Sequence, residues 1–201
     1  MQRIGYILDL DKEKLKYFEE RCKPDHDHSK NLKLMTFGHD LYSDNGFISD
    51  TDSLYDVCLK DDKYVKETLG EDGHNIISKI IMVLLSGDTF TTRYPKMNCD
   101  IDKSKYEVRF KSSHGCQYCP FVDINIFECG NNFIAPYIGY DYLIINKKAG
   151  KYFKINTLQA HLIYHHHFYQ GNVNHRIPPQ DIIEFFELKK KIDNKTINDT
   201  Q

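Results

Sequence analysis

The chain has 201 residues, 40% hydrophobic and 13% aromatic, with 14 Tyr, 12 Phe and no Trp, and a formal net charge of −2. That is enough for one sizeable domain or two small ones around a buried core. The opening Met1 to Tyr6 holds no apolar stretch of signal-peptide length, and the longest apolar run, Ile76 to Leu85, is broken by Lys79 and short of the ~20 residues a membrane span requires. A soluble, cytoplasmic protein with no membrane partner is therefore expected.

In chain order, Arg3 to Leu8 has strand character. Asp11 to Cys22 places Leu15 and Phe18 at helical spacing, with acids early and Arg21 late, as the helix dipole prefers. Lys23 to His28 is a polar break, Leu32 to Phe37 a candidate strand, and Tyr42 to Gly46 a turn by composition. Asp52 or Ser53 can cap a helix carrying Leu54, Tyr55, Val57 and Cys58, and Lys63 to Leu69 stops at Gly70. His74 to Leu85, apolar almost all round, predicts a buried central helix.

Thr89 to Lys105 is the expected boundary, after which the period changes. Tyr106 to Phe110 and Val122 to Phe127 alternate like strands. Tyr140 to Ile145 and Lys151 to Ile155 flank Asn146-Lys-Lys-Ala-Gly150 as a hairpin. Thr157 to Tyr169 predicts a helix capped by Asn156 or Thr157, and Pro178-Pro179 opens a last amphipathic one. The expected fold is α+β: a mostly helical part over residues 1–92, then a small antiparallel sheet packed on two C-terminal helices around a zinc site over 93–190. Residues 191–201 form a tail expected to be disordered.

Six cysteines in an intracellular chain do not suggest a disulfide scaffold, and only Cys116 and Cys119 stand at motif spacing. Cys-x2-Cys sets two thiolates on one tight turn, a bite that tetrahedral zinc accepts. Downstream, His161 and His165 are four apart on a predicted helix, so at ~100° per residue both imidazoles share one face. The expected metal ligands are Cys116, Cys119, His161 and His165, with His114 as a substitute and Cys129 a weaker one. His166 and His167 point away from His161 on an ideal helix and are poorer candidates. Phe153-x4-Leu158-x2-His161-x3-His165 after a hairpin resembles the two-Cys, two-His zinc finger. The departure is the roughly 40 residues between Cys119 and His161, where a finger has about a dozen; the ligand logic remains, without the groove-reading geometry. No Glu stands beside the histidine pair as in His-Glu-x2-His, and the deaminase order is absent, so zinc is expected in a structural role. A redox Cys-x2-Cys would open a helix, whereas this one lies between strand patterns before Pro120.

Other signals point elsewhere. Ile7-Leu8-Asp9-Leu10-Asp11 resembles the first motif of haloacid-dehalogenase-type phosphatases, which implies Asp9 as nucleophile and Asp11 as general acid/base; helix capping is the competing reading. Asp40 to Asp52 is acidic around Gly46, loosely like a calcium loop, but Leu41 falls where the first ligand belongs. Residues 1–102 carry a balance of −6 and residues 103–191 one of +5 with six histidines. The basic, His-rich half offers His166, His167, Tyr169 and Arg176 as a surface for a protein or nucleic-acid partner. In its wealth of Lys, Asn, Ile, Asp and Tyr the whole chain resembles uncharacterised proteins of large cytoplasmic DNA viruses such as the mimiviruses, a resemblance that implies no activity. The functional expectation is a non-enzymatic, zinc-stabilised binding or regulatory protein. The alternatives are an enzyme (a phosphatase on Asp9 and Asp11, or a zinc hydrolase) and a nucleic-acid-binding protein.

Overall fold

In the computed structural model, which describes residues 7–24, 46–85, 101–113, 119–121 and 139–189, the first helix α1 (Lys12–Cys22) starts where its cap predicts. The Asp11 carboxylate accepts the Lys14 N–H at 2.9 Å, one of the orphan donors of a first helical turn. The segment before it differs from expectation: Ile7–Asp9 is a 3-10 turn rather than the end of a strand. Ile7 is buried there, which accounts for the apolar pattern without a sheet. The predicted strands at Leu32 to Phe37 and Val122 to Phe127, and the tail from 191, lie outside the described residues.

Ser53 caps α2 (Leu54–Leu69), its hydroxyl accepting the Asp56 N–H, and Gly70 closes it at φ 87°. The two helical stretches read from the sequence are thus one helix. Gly73–Leu85 forms α3, buried on nearly every side as its composition predicts. Gly46 is required by close approach: a Cβ there would lie 2.4 Å from Pro24 N and 2.8 Å from Cys22 O. That contact lets Phe47 N and Ile48 N both donate to the Cys22 carbonyl at the end of α1.

Three strands, β1 (Tyr106–Ser113), β2 (Gly139–Asn146) and β3 (Lys151–Asn156), form an antiparallel sheet in that order. Asn146 shapes the β2–β3 turn, its side-chain oxygen accepting from Lys148 N (3.1 Å) and Ala149 N (3.0 Å), and Gly150 takes φ 64°. Cross-strand register places Val108, Ile144 and Phe153 in one row and Phe110, Tyr142 and Ile155 in the next. This face packs on α4 (Thr157–His166) and α5 (Pro179–Phe185). The fold is α+β, with the small antiparallel sheet on two C-terminal helices.

Two hydrophobic clusters fill the interior. The larger joins Val65, Leu69 and the α3 residues Ile77, Ile80 and Ile81 to the inner sheet face and to Ile182 and Phe185. The smaller joins Phe18, Cys22, Phe47 and Leu54 to Cys119, Phe121, Leu162 and Phe168. Both draw on residues before and after the boundary expected near residue 92. Among the described residues, no helix is long and apolar enough to cross a membrane.

A capping box sets α4. Asn156 Oδ1 accepts from Gln159 N (2.8 Å) and Gln159 Oε1 accepts from Asn156 N (2.9 Å). Asn156→Ala should therefore cost about 1 kcal/mol of stability, read as a lower urea midpoint with an unchanged slope.

Candidate functional site

Helix α4 carries the histidines, and it ends sooner than its pattern predicts. His167 takes the left-handed conformation (φ 52°) and donates its N–H to Ile163 O, while Phe168 N reaches Leu162 O. No glycine marks this stop. Its cause is tertiary: Phe168 enters the smaller core and Tyr169 the larger, and a continuing helix could not supply both.

Across from α4, the short stretch Cys119-Pro120-Phe121 is held by α1. Arg21, itself buried, donates from Nε to the Pro120 carbonyl at 2.8 Å. The Phe121 ring lies between Phe18 (5.6 Å), Phe168 (5.3 Å) and the His166 imidazole (4.8 Å). This packing delivers Cys119 Sγ to 3.3 Å from His166 Nε2. The ring centroids of His161 and His166 are 5.3 Å apart.

Cys119, His161 and His166 each offer one ligand atom, and these atoms lie within 4.8 Å of one another. All three residues are buried: His161 is 0% exposed, His166 2% and Cys119 4%. Burial, and then the neighbouring His165, drives the pKa of His161 well below the ordinary value. Burial first, and then His161, His165 and His167, does the same to His166. Both imidazoles are thus neutral at pH 7, the form that ligates a metal. A thiol and two imidazoles suit a borderline-soft transition ion rather than calcium or magnesium, which take oxygen donors.

Of the expected ligand set, the structure brings Cys119 and His161 together. Cys116 and the substitute His114, like Cys129, lie outside the described residues. His165 packs beside His161, with centroids 4.6 Å apart and its pKa depressed to about 4 by burial, but it is not a member of the close set. His166 takes that place. Helical periodicity sets it ~140° from His161, so spacing alone passes over it; its position at the last helical residue, facing the Cys119 segment, brings it in.

Of the residues expected to form a partner surface, His166 and Tyr169 are buried and His167 and Arg176 half-buried. Tyr169 is 1% exposed, and its hydroxyl bonds His74 Nδ1 at 2.9 Å. His74 Nε2 in turn faces Asp62 Oδ1 at 3.1 Å, and the His167 ring stacks on His74 at 4.6 Å and 5°. A carboxylate only accepts, so Nε2 carries the proton and Nδ1 receives the tyrosine's. Burial lowers the His74 pKa despite the attraction of Asp62, which keeps the ring neutral. Arg176 is tied to Asp61. His and Tyr combine an apolar body with a polar edge, so a segment rich in both reads as surface while its rings face the core.

The structure also places both residues of the phosphatase alternative. Asp9 ends a 3-10 turn and Asp11 caps α1. Neither stands at the end of a parallel strand, and the sheet described is antiparallel. Asp52, from the acidic stretch read as a loose calcium loop, is engaged by backbone donors. Burial alone would raise its pKa, and the N–H groups of Ser49 (2.9 Å) and Asn172 (2.7 Å) more than offset that and hold it below the usual range.

No family model matches the chain, and no solved structure matches it. A tubulin beta-3 chain from Oomycete-like sp. (strain MacKay2000) is 34% identical over 62 residues, 30% of this chain and 13% of the tubulin. So short a share of that relative shows no common family.

Proposed function

We propose that this is a zinc-stabilised, non-enzymatic binding protein, whose metal holds the Cys119 segment and α1 to helix α4. The observation that carries the reading is the convergence of Cys119, His161 and His166 in a buried site where both imidazoles are neutral. Cys116, three residues before Cys119, supplies the second thiolate in this proposal and closes a tetrahedral Cys2His2 set of the structural kind. Zinc fits this donor set with no geometric preference of its own. A structural rather than a catalytic role is supported by the depth of burial. It is supported also by the donor set itself, which holds no carboxylate to act as a base.

Protein purified without added metal should contain one zinc per chain by mass spectrometry. Replacing it with cobalt should give the intense visible bands of a tetrahedral ion together with thiolate charge transfer in the near ultraviolet. Substoichiometric metal, with no cobalt spectrum on reconstitution, would sink the reading.

A further inference from the structure

Helices α4 and α5 cover the inner face of the sheet unevenly. In the row of Val108, Ile144 and Phe153, the Phe153 ring packs on Phe185 (5.4 Å) and Phe186 (6.0 Å) at the end of α5. In the next row Tyr142 and Ile155 are each 2% exposed, yet Phe110, beside them on the same face, is 56% exposed. The helical layer stops short of Phe110, and a cleft of about 620 Å3 opens there. Its apolar side is formed by Phe110, Tyr142, Ile155 and Ile177, with the Phe110 and Tyr142 rings 6.4 Å apart. Its polar side is the segment 174–176.

That polar wall is held from behind. Gln159, in the first turn of α4, donates from Nε2 to the His175 carbonyl, and Arg176 is tied to the Gln170 carbonyl and to Asp61. The side chains of Asn174 and His175 are exposed and take no part in these bonds, so they remain to meet a ligand. The other cations that border the cleft are already engaged. Arg109 pairs with Glu107 at 2.6 Å, and Lys111 stands opposite Asp141 in the strand register. Lys154 lies 5.8 Å from the Tyr152 ring centroid on the outer face.

We infer that this cleft binds a neutral purine nucleoside. Its volume is that of a small-ligand pocket and suits a two-ring base with its sugar. Phe110 offers a ring on which a flat base stacks. A carboxamide such as that of Asn174 matches the exocyclic amine and adjacent ring nitrogen of adenine, one a donor and the other an acceptor. The His175 imidazole adds a further donor or acceptor. With the bordering cations engaged, the cleft sets no charge aside for a phosphate, which disfavours a nucleotide. The polar wall disfavours a purely apolar occupant, whose burial would strip water from Asn174 and His175 without replacing it. The inference names a ligand for the binding protein proposed above. It does not depend on the metal, whose histidine ligands lie further along α4.

Isothermal titration calorimetry on the full chain, with adenosine as the probe, tests this. Adenosine monophosphate and N-acetyltyrosine amide serve as rivals. Expected is saturable binding with a Kd of roughly 0.1 mM, from the affinity per atom that drug-sized ligands reach. The Kd should be nearly the same at low and high salt, because the ligand is neutral. Phe110→Ala should weaken binding by about tenfold or more, and Asn174→Ala by about threefold to tenfold. Tyr152→Ala, on the outer face, should leave it unchanged. All three side chains are exposed, so Tm should not move. Absence of saturable binding at millimolar adenosine overturns the inference. So does adenosine binding that ignores Phe110→Ala and Asn174→Ala, tighter binding of the monophosphate, or equal binding of the tyrosine amide. A chain that purifies without zinc yet binds adenosine in this manner removes the metal reading and leaves this one standing. A zinc-loaded chain that does not bind adenosine does the reverse.

Discussion

Cys119→Ser is expected to abolish zinc retention and to lower Tm by about 8–16 °C. The magnitude follows from linkage: a metal present at a thousand times its Kd contributes about 4 kcal/mol to the folded state. Each kcal/mol moves Tm by roughly 2–4 °C in a chain of this length. A hydroxyl in place of the thiolate keeps the shape of the site but is a far poorer zinc donor. His161→Ala and His166→Ala should lose the metal as well. His165→Ala should keep it, because His165 is not in the set of atoms that lie within 4.8 Å of one another. The contrast between His165 and His166 separates this structure from simple helical periodicity, which favours the reverse. A chelator supplies the control. Wild-type protein treated with it should fall to the stability of Cys119→Ser, while the variant should not respond. If the wild type is indifferent to chelation, Cys119 and its histidines are a packed cluster and nothing more. The serine would then cost only the ~1–3 kcal/mol of a buried polar group poorly placed.

The parts of this fold that could be read from the sequence are those decided locally. Asp11, Ser53 and Asn156 announce their helices because a cap is a contact within one turn. The β2–β3 hairpin follows from Asn146 and Gly150 for the same reason. What could not be read is decided by distant packing. Helix α4 stops at His167 because Phe168 and Tyr169 belong to different cores, and no residue at the break signals it. His166 joins Cys119 because Arg21, almost a hundred positions upstream of Pro120, holds that segment in place. The same distance effect packs residues from both sides of the boundary expected near residue 92. The α3 run of Ile and Leu is too apolar to be covered by its neighbours in sequence, and it finds its cover in the sheet and the C-terminal helices.

Arg176→Met is expected to destabilise the protein by about 3–5 kcal/mol at pH 7, the cost of leaving a buried charge without its partner. Asp61, on the buried side of α2 with 5% of its side chain exposed, meets Arg176 Nη2 at 2.5 Å through Oδ1. The same guanidinium donates from Nη1 to the Gln170 carbonyl. One side chain therefore ties α2 to the segment that follows α4. Burial raises the Asp61 pKa, and Arg176 counters only part of that rise. Without Arg176 the pKa climbs further, and this fixes the sign of the pH dependence. A carboxyl whose folded pKa exceeds its unfolded value binds its proton more tightly when folded, so stability falls as pH rises from the unfolded value toward the folded one. Arg176→Met should accordingly regain stability on acidification from pH 7 toward pH 5, relative to wild type. Adding Asp61→Asn should restore most of the loss at pH 7, because the charge that needed a partner is gone. Urea unfolding of the three proteins at both pH values measures all of this. A cost below 1 kcal/mol with no pH response would mean that Arg176 is an ordinary surface cation, as the composition of its segment suggests, and that the buried pair contributes nothing to joining the two halves of the chain.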